Sequence, residues 1–227
     1  CIHPGVSIKY PSEGGNRGLN ILSCVGNKAV LMSGEAKNSV GFVSGKSGRF
    51  SEQIIIHFEK KVREKISIND KILIKSFGVG LKIKNFENVY CKSLSPEIFN
   101  KMNIKIKNKK LLIPVTHVIP EHLVGAGSGL TSESGSLHIQ TTDVSEMKKY
   151  KLNSLRLGDF VYIENYDSSY QHGFLRKAWA VGIVGQTNGP RAGYGPGLTV
   201  LMSSKIDNGI PKLNSNSNIV NCLKFKK

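Results

Sequence analysis

Along the chain, apolar residues gather in short runs that alternate with polar ones or stand unbroken between turn residues. NILSCVG, AVLMSG, VGFVSG, QIIIHF, DKILIKSF, KLLIPVTHV, DFVYIEN, KAWAVGIVG and LTVLMSS are each set off by Gly, Asn or Ser. A period of two, or a short apolar run between turns, predicts strands. Three stretches predict short helices. In FEKKVREKI, Phe58, Val62 and Ile66 recur every four residues; in SPEIFNKM, Ser95 caps and Pro96 opens the first turn; in DVSEMKKYKL, Asp143 and Glu146 resemble a capping box. None is long enough to organise a fold, so the pattern predicts a mainly β protein with a few short helices.

An internal echo refines this picture. KISINDKILIKSF and SLRLGDFVYIEN share a pattern of apolar residues around Asn-Asp or Gly-Asp, with Asp70 and Asp159 at equivalent places. The arrangement predicts a turn whose carboxylate accepts backbone N–H groups before a core strand, once in each of two β modules. The modules are read as residues 1–100 and 101–227, joined near the helix SPEIFNKM. The segment from Asp207, DNGIPKLNSNSNIVNCLKFKK, is polar and Lys-ended, and reads as an extended tail or docking segment outside the core.

The 227 residues suffice to bury a core, and no apolar run approaches the ~18 needed to span a bilayer. The opening stretch is polar and Gly-rich where a signal peptide would be apolar. A soluble, cytoplasmic protein without membrane partners is expected. The net charge of +16 raises nucleic acid as a partner. The charge is mostly Lys spread through Asn- and Ile-rich sequence, however, a compositional bias more than an Arg-and-aromatic binding surface, so nucleic acid is the minor expectation.

Cys1, Cys24, Cys91 and Cys222 lack any CxxC spacing and read as free thiols. His117 and His122 are separated by Pro120, which forbids the helix that would pair them on a metal, so no metal site is expected. The alternating glycines of LVGAGSGL and AGYGPGL supply neither a phosphate-loop GK[ST] nor a dinucleotide fingerprint. They do allow close backbone approach and N–H groups facing a small pocket.

HPGVSI, GEAKNSVGFVSGKSG, DKILIKSFGVGLKI, HIQTTD, LRLGDFVYI and AGYGPGLTVLMSS occur in the order and spacing of the domain-of-unknown-function 4438 family of prokaryotic proteins, which the chain resembles from Cys1 to about Ser204. The resemblance implies an SH3-like small β-barrel module followed by a second β-rich module closing on Gly-rich loops, and no established activity. Motif segments place Gly125, Gly127 and Gly195 around a candidate ligand pocket with His138, Asp143, Asp167, Asn188 and Tyr194 as its polar rim. Relative to the family, Gly135–Ile139 replaces a GDYDI-like motif, Gln186, Thr187 and Asn188 replace an HSD-like triplet, and Tyr194 stands in a GHGPG-like loop. Those exchanges keep hydrogen bonding while removing metal ligands and bases.

The resemblance further implies a segment preceding Cys1, so that the family's N-terminal segment is read as missing from this chain. The partner expected is that segment or another protein chain, with residues 1–10 paired against the second module or that partner. Two functional readings follow. In one, the chain is a non-catalytic ligand-binding or assembly subunit that holds a small molecule or a partner. In the other, Cys1 is the precursor of a pyruvoyl group in a processed reductase-like enzyme, with His3 as its proton carrier.

Overall fold

The computed structural model describes residues 4–47, 53–126, 136–170, 173–186 and 195–223. The protein is mainly β, with sheets that curve into a half-barrel and a nearly closed barrel.

The first module holds strands β1 (Val6–Ile8), β2 (Lys28–Leu31), β3 (Val40–Ser47), β4 (Gln53–His57) and β5 (Ile72–Lys75) in the order β1-β4-β3-β2-β5, antiparallel throughout. Ala29, Leu31, Val43, Ile54, Ile56 and Phe58 form its core. Helix α1 (Glu13–Leu22) packs on this sheet, and α2 (Lys60–Arg63) is a single turn within the longer helix expected at FEKKVREKI.

Strand β6 (Val89–Cys91) and helix α3 (Pro96–Lys101) lead into the second module. Its strands are β7 (Lys105–Lys107), β8 (Lys110–Val115), β9 (His117–Ile119), β10 (Val124–Ala126), β11 (Ser136–Ile139), β12 (Phe160–Asp167), β13 (Gly173–Val184), β14 (Gly197–Ser204) and β15 (Gly209–Leu213). A seven-stranded sheet runs β10-β11-β14-β13-β12-β9, with β6 continuing the β11 side of β14; a smaller sheet runs β15-β8-β7. Helices α4 (Val144–Lys149) and α5 (Ile219–Leu223) complete the fold.

Alternation explains why the large sheet is covered on both faces. Phe160, Tyr162, Trp179, Val181 and Ile183 enter one core, while Val161, Ile163, Ala180 and Val184 enter the other. The first core also takes Val25, Leu94 and Ile98, so the chain around β6 and α3 joins the two modules. Among the described residues no helix is long and apolar enough to cross a membrane.

The helix caps follow the sequence. Ser95 Oγ accepts the Ile98 N–H at 3.3 Å, and Asp143 accepts the Ser145 and Glu146 N–H groups at 2.7 and 3.4 Å. Glu146 does not close a capping box; it pairs with His122 at 2.8 Å. Both echoed turns form as well. Asp70 accepts Ser67 N–H at 2.8 Å and Asp159 accepts Arg156 N–H at 2.9 Å, with Asn69 and Gly158 at positive φ just before them.

Three expectations are corrected. NILSCVG is not a strand, because Asn20–Leu22 end α1, whose Ser12 cap and Glu13–Arg17 ion pair at 2.6 Å offset three glycines. At the front end, the described strand Val6–Ile8 does not pair with the second module; it adds to β4 of its own module. The segment after Asp207 is not outside the core. Strand β15 runs parallel to β8, and Ile219, Cys222 and Leu223 are buried through α5.

Candidate functional site

The two modules touch backbone to backbone at Gly45 and Gly185; a Cβ on Gly45 would lie 3.0 Å from the Gly185 Cα. Beside this contact the end of β3 docks on the start of β14. Lys46 N–H donates to Thr199 Oγ1 at 2.9 Å, and the Gln186 carboxamide nitrogen donates to the Lys46 carbonyl at 3.3 Å.

Lys46 itself is only 2% exposed. Simple alternation along β3 would put its side chain on the same outward face as Phe42 and Ser44. A β-bulge between Val43 and Gly45 reverses the parity, so Lys46 stands opposite Ile54 and shares the inward face of Val43, opposite Ile56. There its ammonium donates to the Asn20 carbonyl in the last turn of α1, where a cation also meets the negative end of the helix dipole. Asn20 Nδ2 donates to the Asn16 carbonyl at 2.9 Å, while Asn20 Oδ1, on a fully buried residue, finds no partner among the described residues.

On the other side, His138 Nε2 lies 3.1 Å from Gln186 Oε1. Because the Gln186 nitrogen is engaged with Lys46, the oxygen must face His138, and His138 therefore carries its proton on Nε2. Gly197 leaves the room for this. A Cβ there would come within 2.2 Å of Gln186 Oε1. The result is one buried chain of polar groups, His138 to Gln186 to Lys46 to Thr199, crossing from one module to the other.

Of the residues expected at the pocket, Gly125, His138 and Gly195 come together. Gly125 is the cross-strand partner of His138, and Gly195 lies against the Ile139 carbonyl so closely that a Cβ could not fit. Asp143 is exposed and engaged in capping α4. Asp167 holds the Ser169 N–H at the far end of β12, beside Ser203, whereas His138 pairs with Gly197. Gly197 and Ser203 are six positions apart on β14, about 20 Å at ~3.3 Å per residue. Gly127, Asn188, Tyr194, Cys1 and His3 lie outside the described residues.

Burial governs the titratable groups. It pushes the Cys24 and Cys222 thiols up and Cys91 up to about 12, so these thiols are protonated and poor nucleophiles at neutral pH. Burial also lowers His138, with the Gln186 bond partly opposing it, and lowers His57 and His117. A folded value below the unfolded one favours the neutral ring, so this stabilisation is present above ~6.5 and is lost as pH falls through the folded values. The melting temperature is therefore expected to be level above about pH 7 and to fall between about pH 6.5 and 5, before carboxylates titrate. His138→Gln should flatten that slope. A profile unchanged by the substitution, or level down to about pH 5, would contradict it. Among the described residues no group of three or more His, Cys, Asp or Glu is placed to hold a metal.

Fold and site together define a mainly β protein with a buried polar junction between the end of β3 and the start of β14. The chain belongs to the DUF4438 family: its residues 1–100 match the N-terminal domain of unknown function (DUF4438) and residues 101–223 the C-terminal one. The family's N-terminal domain is thus matched from residue 1, which corrects the expectation that the N-terminal segment is missing. The fold is also similar to a solved structure described as "Crystal structure of TM1086", with a TM-score of 0.88 and 35% identity, covering 96% of this chain and 77% of the other. No curated protein matches the chain.

Sequence reasoning did not single out Lys46, Asn20 or Thr199, and met Gln186 only as a departure from the family. The available signal was the GKSG at the end of β3, a lysine between small residues in an otherwise apolar strand.

Proposed function

We propose that this protein is a ligand-binding module whose centre is the junction of Lys46, His138, Gln186 and Thr199, taking a small carboxylate that also bears a hydroxyl or amine. The observation that carries the reading is the buried Asn20 Oδ1, which has no partner among the described residues and stands on the residue whose carbonyl receives the Lys46 ammonium. A buried acceptor left unpaired costs about 1–3 kcal/mol, which a ligand hydroxyl or amine would recover. The Lys46 ammonium, which donates to the backbone carbonyl of the same Asn20, suits a carboxylate oxygen. Binding is favoured over catalysis because the described thiols are protonated and His138 is locked to a carboxamide in place of a carboxylate. The alternative, Cys1 as a pyruvoyl precursor, gains no supporting observation.

Thermal shift measurements with lactate, glycerate and serine, against acetate and propionate as controls without the extra donor, test this. The hydroxy and amino acids should raise the melting temperature by about 2–4 °C at saturation. Lys46→Met, which keeps the length and apolar stem of the side chain, should remove the shift while leaving a cooperative transition. No shift from any hydroxy or amino acid, or the same shift in Lys46→Met, would refute the proposal.

A further inference from the structure

A separate cleft of about 970 Å³ opens between residues 149–157 on one side and 213–221 on the other, with Thr116–Val118 and Asp159 at its base. None of the four residues of the polar junction lines it. Three cationic residues, Lys149, Lys151 and Arg156, line it together with one acidic residue, Asp159. That carboxylate is occupied on both oxygens, Oδ1 by the Asn218 carboxamide at 2.8 Å and Oδ2 by the Arg156 N–H at 2.9 Å. It therefore ties the walls together and does not neutralise the cations by direct pairing.

The cations differ in what holds them. Lys149 lies 3.5 Å from Glu146 and 4.8 Å from the Tyr150 ring centre. The heads of Lys151 and Arg156 form no ion pair or hydrogen bond with the described residues. Lys151 is placed by a left-handed backbone, φ 54° and ψ 34°, at the turn after α4. The opposite wall offers neutral donors and acceptors. Asn221 and Asn218 are used in the fold, but the Asn216 carboxamide has no partner among the described residues.

A cationic pair with a neutral amide wall suits an oxyanion carried on a hydroxylated body. The volume is that of a drug-sized ligand and far exceeds a bare ion. We propose that this cleft binds a phosphate-bearing small molecule of sugar-phosphate or nucleotide size, its phosphate held by Lys151 and Arg156 and its hydroxyls by the asparagine wall. The inference is independent of the junction site, since it invokes none of the same residues.

Calorimetric titration of the whole chain at low salt with glucose 6-phosphate, adenosine 5′-monophosphate, inorganic phosphate and glucose tests the assignment. At least one of the two phosphate esters should bind, inorganic phosphate more weakly and glucose not at all. Lys151→Ala with Arg156→Ala should weaken that ester by about tenfold or more, as expected for losing two charge-assisted bonds. Lys82→Ala with Lys84→Ala, which removes the same charge from an exposed loop outside the cleft, should change it by less than about twofold. The proposal is overturned if neither ester binds at about 10 mM. It is also overturned if the cleft variant binds like the wild type, or if both double variants lose equally. Tighter binding of a single-stranded oligonucleotide that the cleft variant abolishes would equally overturn it, by assigning the cleft to a nucleic-acid backbone.

Discussion

Trp179→Ala is expected to destabilise the protein by about 3–5 kcal/mol, the range for deleting a buried aromatic side chain. Trp179 is 1% exposed on β13 and stacks on Tyr162 of β12, ring centres 5.8 Å apart at 14°. Its indole N–H donates to Asn208 Oδ1 at 2.9 Å, and the Tyr162 hydroxyl donates to the Gly209 carbonyl at 3.2 Å. Gly209 lies against the ring, where a Cβ would be 2.5 Å from an indole carbon. The indole thus organises the sheet and also fastens the start of β15. At roughly 2–4 °C per kcal/mol for a chain of this size, the melting temperature should drop by about 6–20 °C. The Asn208–Leu213 segment should become cleavable by trypsin at Lys212 under native conditions. A loss under about 1 kcal/mol, with Lys212 still protected, would show that β15 is held by other means.

That attachment marks where the sequence was legible and where it was not. β12 and β13 are readable because Phe160 and Tyr162 alternate with Val161 and Ile163, and each set has a core of its own to fill. The closing segment hid its role. Only Ile219, Cys222 and Leu223 in it are buried as a set, at helical spacing but among Asn and Ser, and β15 borrows its stability from β8 and from Trp179. Helix α1 was hidden for a related reason. Its buried face includes Asn16 and Asn20, so no apolar stripe announces it, and its glycines argue against a helix.

The site shows the same division. Gly195 was readable as a point of close backbone approach, because it stands in a conspicuous glycine repeat and lies against the Ile139 carbonyl. Lys46 was not. In a chain of net charge +16, one more lysine reads as surface, and the bulge that turns it inward leaves no trace in the hydrophobic pattern. Thr199 and Gln186 matter only because a strand end from the other module arrives beside them, a long-range fact that local pattern does not contain.

The echoed turns permit a controlled comparison with a second large effect. Asp159→Ala should cost about 3–4 kcal/mol and Asp70→Ala about 1 kcal/mol, although the two residues occupy the same place in the same local motif. Asp70 is half-buried and accepts from Ser67 N–H and, at 3.0 Å, from the Ser33 hydroxyl, groups that water can serve once the carboxylate is gone. Asp159 is buried at 4% exposure, and its removal takes from the Arg156 N–H and the Asn218 carboxamide the one acceptor that ties the two segments together. Asn218 also donates to the Leu157 carbonyl and precedes α5, so its loosening frees the helix that buries Ile219. Gly158 sits between them at φ +85°, with Asn218 Oδ1 2.7 Å from where a Cβ would be. Denaturant unfolding of both single variants and the double variant measures the difference, and the two losses should add, because the turns lie in different modules. Equal costs for Asp159→Ala and Asp70→Ala would mean that the local turn, and not its burial against the closing segment, sets the energy.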